Sequence, residues 1–142
     1  MNYLKDFKVD EDGDLVVGSN GDLSVATATE TAIQDIVMRI RTNNFEVRAH
    51  PTFGANMQAK FGEPNNLTNG EWLKNSILNA LTRDSRFSYD EINVEVVPTS
   101  KVRVMILVTL NSVAYDAPVM QGARVLTFSW NYNEGTIERI TD

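Results

Sequence analysis

Apolar residues recur three or four positions apart in two stretches of the chain, which is the spacing of one face of a helix. The first stripe consists of Ala32, Ile33, Ile36, Val37 and Ile40. The second consists of Leu73, Ile77, Ala80 and Leu81. Each stripe predicts an amphipathic helix that packs its apolar side against a core.

Both predicted helices begin with a capping pair, in which two side chains can satisfy each other's backbone N–H groups. Thr27 with Glu30 has this spacing in the first helix, and Thr68 with Glu71 has it in the second. The first helix is expected to end near residues 42–44.

Several polar side chains lie largely off the apolar stripe of the first helix. They are Gln34, Asp35, Arg39 and Arg41. We expect a solvated face for all of them except Arg39. In the second helix, Trp72 is expected at the edge of the stripe, where packing is favoured over stacking on a ligand.

The last third of the chain has the pattern of β-strands. The predicted strands are 92–96, 102–110, 124–132 and 136–140. The second is apolar on both faces near Met105 and Leu107, as is typical of a central strand. The Asn133-Glu134-Gly135 run predicts a hairpin between the last two strands.

The N-terminal part contains a short repeat. DGDLVV at 12–17 recurs as NGDLSV at 20–25, which predicts a β-hairpin closed by residues 18–21. Its alternating acids resemble a calcium loop. Such a loop requires Gly and Glu where this chain has Leu15 and Gly21, so a plain turn is favoured.

Together these elements predict an α+β fold in one domain that spans residues 1–142. It would consist of an N-terminal β-hairpin and two main helices packed on a mostly antiparallel sheet that ends in a C-terminal β-hairpin. A chain of 142 residues is of ordinary length for one domain.

Composition excludes several kinds of chemistry. The chain has no Cys and a single His, His50, so we expect no thiol catalysis, no metal and no cofactor. A net charge of −6 disfavours nucleic acid as a partner. The sequence has neither a signal-peptide core nor an apolar run long enough for a membrane helix, so we expect a soluble chain that is intracellular at synthesis.

No motif supports an enzyme. Gly residues fall at predicted turns rather than in a phosphate loop, and no Gly-x-Ser-x-Gly elbow occurs. Nineteen acids make some carboxylate pair inevitable, so their number is not evidence for glycan hydrolysis. We therefore expect no catalytic residues.

A dense set of charges separates the second helix from the first strand of the C-terminal sheet. It lies in LTRDSRFSYDEI, residues 81–92, and includes Arg83, Asp84 and Arg86. Residue types alone favour a solvated turn over an ion-paired joint between helix and sheet.

The order of these motifs resembles one known family. In that order the chain has a Gly-Asp-Leu hairpin, a helix, Phe45-Glu46, Pro51, Phe53-Gly54, FGEPN at 61–65, a second helix, Asp84-Ser85-Arg86 and a sheet. Over roughly residues 13–110 this resembles the sheath-initiator family, the small baseplate wedge proteins of contractile-tailed phages, which has a counterpart in type VI secretion.

The resemblance is closer in order than in residues. The family shows Gly-Glu-Arg before a Pro-x-Phe/Tyr-Gly turn. This chain keeps Glu46, Pro51, Phe53 and Gly54, but has Phe45 for the Gly and Val47 for the Arg. The family's Glu-Pro-Arg after the second helix appears here as Asp84-Ser85-Arg86, so only Arg86 is kept.

The resemblance implies a structural protein with several copies in the baseplate wedge around the tail tube. Its partners would be other wedge proteins and the tail sheath protein through strand addition, with the tail tube or hub as a further candidate. Its location would be the virion, and the host cytoplasm during assembly. The charged stretch would then be a structural joint that includes Glu46, Pro51, Gly54, Asp84 and Arg86. Within it, Arg86 is predicted to pair with Asp84, Glu46 or another acid near the end of the second helix.

One strand face has two interpretations. Leu126, Phe128, Trp130 and Tyr132 fall on one side of the third strand of the C-terminal sheet. They predict either a core face, which burial favours, or a contact surface for the sheath or another partner. The alternatives for the whole chain are a lysozyme-like tail glycan hydrolase and a component of a type VI or other contractile injection system.

Overall fold

The computed structural model describes residue 17 and residues 28–111 and 124–140, and it has the predicted α+β class. The helices are α1 (Ala28–Arg41) and α2 (Leu67–Thr82), with short 3-10 helices at Met57–Lys60 and Arg83–Ser85. The strands are β1 (Ile92–Pro98), β2 (Arg103–Leu110), β3 (Arg124–Asn131) and β4 (Thr136–Ile140). The predicted N-terminal hairpin and the Thr27 cap lie outside these residues, except for Val17.

Both predicted helical stripes face the core. Ala32, Ile33, Ile36 and Ile40 of α1 are buried, and Val37 packs against them. All four stripe residues of α2 are buried, with Trp72 at their edge as predicted.

The predicted cap of α2 is wrong. The helix begins at Leu67, and the N-cap residue is Asn66, whose side-chain oxygen accepts the backbone N–H of Asn69 at 2.8 Å. Thr68 is therefore already inside the first turn. Asn is as good an N-cap as Ser or Thr, and here it precedes the pair that has the capping-box spacing.

The four strands form an antiparallel meander in the order β1-β2-β3-β4. The predicted central position of β2 is confirmed, since β2 pairs with β1 on one side and β3 on the other. β1 and β4 are the edges of this sheet. Helix α2 lies against β1, so the main core is enclosed between the helices and the inner face of the sheet.

The predicted contact surface on β3 is wrong, and the core alternative is confirmed. Leu126, Phe128, Trp130 and Tyr132 are at most 4% exposed. Trp130 and Tyr132 meet edge to face, with ring centroids 6.2 Å apart. These side chains point into the core because their alternation puts every second residue of β3 on the helix-facing side. They are not available to a sheath protein or any other partner.

The C-terminal hairpin is also present, and the chain after the first 3-10 helix packs against its turn. Gly135 has φ +67° and lies under the ring of Phe61, which leaves no room for a side chain. The Gly62 N–H donates to the Tyr132 carbonyl at 2.7 Å. This contact fixes the segment that leads into α2 on the hairpin.

Candidate functional site

Three charged side chains meet where α1 passes the C-terminal end of α2, and we call Asp35, Arg39 and Arg86 the joint. The Asp35 carboxylate accepts hydrogen bonds from the Nε atoms of both arginines, with the Arg39 contact at 3.2 Å. The three side chains are between 9% and 17% exposed. One carboxylate therefore holds two guanidinium groups that come from α1 and from the residue after the second 3-10 helix.

Arg39 also binds the end of α2 directly. Its Nη1 donates to the Ala80 carbonyl at 2.9 Å and, at 3.4 Å, to the Arg83 carbonyl. Carbonyls in the last turn of a helix have no partner within the helix, and a cation there also interacts favourably with the helix dipole. Arg39 thus acts as a C-terminal cap supplied by the other helix.

Each arginine of the joint also covers an aromatic ring. The Arg39 guanidinium lies 5.0 Å from the ring centre of Phe53, and that of Arg86 lies 4.7 Å from Phe87. Phe87 is itself 1% exposed. These rings form apolar walls around the charges, which strengthens the attraction between the charges.

The chain after α1 folds back onto the end of that helix. The Ala55 N–H donates to the Arg39 carbonyl at 2.9 Å, and the Asn56 N–H donates to the Thr42 carbonyl at 3.1 Å. Gly54 has φ +99°, and a Cβ there would collide with the backbone of Thr42. This close approach requires glycine, which explains the Gly of the Phe53-Gly54 pair.

The intervening segment, residues 43–53, forms an exposed loop. It is closed by a hydrogen bond of 2.7 Å from the Phe45 N–H to the Pro51 carbonyl. Phe45 has φ +69° and is 78% exposed. A left-handed conformation is unfavourable for a bulky residue, so the fold holds this side chain outward at a cost of about 1–3 kcal/mol.

The residues predicted to form the joint do not lie together. Arg86 lies in the ion-paired cluster, while Glu46 and Pro51 belong to the loop and Gly54 directly follows it. The exposed Glu46 accepts a hydrogen bond from Asn43 at 3.0 Å. Asp84 is 68% exposed and lies 3.9 Å from Arg83. Arg86 was predicted to pair with Asp84, Glu46 or another acid near the end of the second helix, and the third alternative is the one observed.

The acid that binds Arg86 is Asp35, which was expected on a solvated face. That expectation is wrong because the end of α2 covers this part of α1. A sequence signal was present, since Asp35 and Arg39 are four residues apart and such pairs meet on a helix. The exception made for Arg39 agrees with its burial, at 7% exposed.

A cleft of about 190 Å³ lies beside the joint, between the loop and α2. Its polar lining includes the side chains of Asn44, Thr52, Asn56, Asn79 and Arg83, and Trp72 supplies an aromatic ring. Arg83 is fixed across it by hydrogen bonds from Nη1 to the carbonyl and hydroxyl oxygens of Thr52, at 3.2 and 2.7 Å. The described residues that line the cleft include no Asp or Glu.

Within residues 17, 28–111 and 124–140, no three acidic or histidine side chains converge as a metal site would require. In the same part of the chain no helix is long and apolar enough to cross a membrane. The three acids of the rejected calcium loop lie outside the described residues.

Comparison with known proteins identified no relative. No family model matches the sequence, and no curated protein or solved structure is significantly similar to it. Membership of the sheath-initiator family stays a prediction that rests on the motifs given above.

Proposed function

We propose that the chain is a structural component of a contractile phage tail baseplate, part of the wedge around the tail tube and a template for the first sheath ring. The observation that carries this proposal is the position of Arg86, the one residue kept from the family's Glu-Pro-Arg motif. Its side chain lies in the joint and binds Asp35 of α1. A motif arginine in this position has a structural role in connecting elements, not a catalytic one.

The conformation of Phe45 also supports the proposal. The family has glycine at the position that matches Phe45, and the backbone there is left-handed, with φ +69°. Glycine adopts such a conformation without strain, so a glycine motif fits this backbone. The same holds for Gly54, which this chain shares with the family and which has φ +99°.

The edge strands of the described four-stranded sheet support the sheath contact. Since β3 is internal, an added strand must pair with β1 or β4. We place the sheath strand on β4, the outer strand of the C-terminal hairpin. Main-chain hydrogen bonds to an edge strand give affinity without requiring a complementary surface on the core residues of β3.

Reconstitution of the baseplate tests the structural role. Arg86→Ala should block or weaken incorporation into wedges, while Asp84→Asn, a change two residues away at an exposed side chain, should assemble normally because Asn tolerates the left-handed backbone of that position, φ +58°. Incorporation is measured by electron microscopy and by the stoichiometry of purified particles. Equal incorporation of both variants would contradict a role for the joint in assembly.

The edge assignment has a separate test. A proline at a residue of β4 whose N–H points away from β3 should leave the monomer folded, as shown by circular dichroism, but should prevent sheath polymerisation on the baseplate. The control is a proline at an outward N–H of β1, the opposite edge, which should have no effect on the sheath. Normal sheath growth on the β4 variant would exclude this edge as the template.

The proposal also predicts no glycan hydrolysis. Purified protein should leave the turbidity of a peptidoglycan suspension unchanged. Lysis that disappears after a single acid-to-amide substitution would instead favour the tail-hydrolase alternative.

A further inference from the structure

The cleft between the loop and α2 carries a positive charge in a chain whose net charge is negative. The chain carries a net charge of −6, yet among the described residues that line the cleft the only charged side chain is the Arg83 cation. The other polar groups of its lining are neutral amides and hydroxyls. A ligand with one negative charge would therefore meet attraction and no carboxylate within the lining.

Arg83 has hydrogen-bonding capacity left for such a ligand. In the described part of the chain, the hydrogen bonds of the Arg83 side chain are donated by Nη1 to Thr52. The acid that lies beside Arg83 is Asp84, whose carboxylate is 3.9 Å from Nε and whose side chain is 68% exposed. The Thr52 contacts hold the guanidinium in place before a ligand arrives. An arginine fixed in this way loses little side-chain entropy on binding.

The amides of the cleft complete a set of donors. The Asn56 side-chain oxygen accepts the Asn44 N–H at 3.2 Å, which fixes the orientation of that amide. Asn79 stands exposed at the mouth of the cleft on α2. One guanidinium with neutral amide donors suits a singly charged carboxylate, whereas phosphate sites collect more positive charge.

The loop that lines the cleft favours a peptide over a free ion. It contributes Asn44 and Thr52 to the lining and also exposes Phe45, at 78%, and Val47, at 37%. A peptide longer than its acidic residue could contact these apolar side chains as well as Arg83, which a free ion could not.

We propose that this cleft binds the carboxylate side chain of an acidic peptide segment from a partner protein. Arg83 contributes the charge, Asn79 and Asn56 contribute amide donors, and Trp72 provides an apolar wall. The proposal concerns the isolated chain and does not depend on the baseplate assignment.

The test is a titration of the isotopically labelled protein, followed by two-dimensional NMR. The probe is an end-blocked tripeptide with a central Glu, and its partner probe has Gln instead. Only the Glu peptide should shift the side-chain amides of Asn44, Asn56 and Asn79 and the indole N–H of Trp72. Equal shifts with both peptides, or shifts that map elsewhere, would overturn the proposal.

Two variants make the test specific. Asn79→Asp puts a like charge at the mouth without touching the Arg83–Thr52 contacts, and it should weaken binding of the Glu peptide about tenfold. Asn93→Asp makes the same chemical change at an exposed position of β1, outside the cleft, and should leave binding unchanged. Unchanged binding in the Asn79→Asp variant would contradict the assignment.

Inorganic phosphate separates a peptide site from a site for free anions. It should shift the same amides only at concentrations well above those of the Glu peptide. If phosphate binds more tightly than the peptide, the cleft is a site for a small oxyanion and the peptide proposal fails.

Discussion

The inner face of β3 is fully buried and the joint is partly buried, and the two regions are built in opposite ways. Phe128 and its neighbours on β3 are apolar and follow one another at alternate positions of a single strand. The joint brings the charged side chain of Arg86 to that of Asp35, which lies 51 residues earlier in the chain. The apolar strand face is stabilised by any apolar core that covers it, whereas each charged group of the joint is stabilised by the opposite charge beside it.

This difference determines how each region responds to substitution. Removing an apolar side chain from a core leaves a cavity, and the cost follows the volume that is lost. Removing one member of a partly buried ion cluster leaves a charge without its partner. The loss of stability from a cavity exceeds that from an unpaired charge when the side chain removed is aromatic and fully buried.

The largest expected effect is at the strand face. Phe128 is 0% exposed, so Phe128→Ala should lower the free energy of unfolding by about 3–5 kcal/mol. The control is Val125→Ala on the same strand, where the side chain is 57% exposed and the change should stay within about 0.5 kcal/mol. Chemical denaturation measures both. Similar losses for the two variants would show that burial does not set the cost on β3.

The joint should come next. Arg86→Ala should cost about 1–3 kcal/mol because it leaves Asp35 with one guanidinium instead of two. Asp35→Asn should cost more than Arg86→Ala, since both arginines lose their counter-charge. Asp84→Asn removes the charge of an exposed side chain and keeps a residue that tolerates the left-handed backbone there, so it should cost no more than about 0.5 kcal/mol. A double-mutant cycle on Asp35 and Arg86 measures the coupling, and a value near zero would refute the ion-paired joint.

The N-terminus of α2 tests the cap that the structure assigns. Asn66→Ala should lower the free energy of unfolding by about 1 kcal/mol because it removes the acceptor for the Asn69 N–H. Thr68→Ala should have an effect below about 0.5 kcal/mol. A larger loss of stability for Thr68→Ala than for Asn66→Ala would instead favour the Thr68-Glu71 pair as the cap of α2.

The smallest effect at neutral pH concerns Tyr132. Burial raises the pKa of its hydroxyl above the usual 10.0. Because the unfolded chain loses that proton at a lower pH than the folded one, the stabilisation is complete below about pH 10 and is lost as pH rises further.

Tyr132→Phe should therefore change stability little at pH 7, since the buried hydroxyl has no hydrogen-bond partner in the described structure. It should reduce the loss of stability in alkaline solution. Unfolding curves from pH 8 to 11 for both proteins provide the measurement, and identical alkaline slopes would contradict the role of Tyr132.

The same contrast explains which parts of the fold were predictable. The apolar stripes of both helices and the alternation in β1 and β3 are periodic, so their elements and core faces follow from local spacing. Asp35 has no such signal for its contact with Arg86, because that contact depends on how α1 crosses the end of α2. The true cap of α2 was missed for a different reason, since Asn66 and Thr68 both have side chains that can cap a helix.

The candidate site was less predictable than the fold. Arg86 was singled out correctly as a member of a joint, but its acid was not. The cleft could not be predicted from the sequence because its lining residues come from separate elements. Asn44 and Thr52 belong to an irregular loop, Trp72 to α2, and Arg83 to the turn after α2. Nothing in the spacing of these residues indicates that they meet.

The long sequence separations within the joint have a consequence for the order in which the molecule folds. Each strand of the meander pairs with the next one in the chain, so the sheet is built from comparatively local contacts. The hydrogen bond from Arg86 to Asp35 closes a segment of 51 residues. Closing a longer segment costs more chain entropy and slows the contacts that depend on it. The contacts of the joint are thus expected to form late in folding and to break before those of the sheet. Local unfolding of the folded chain is therefore expected to begin at the end of α2.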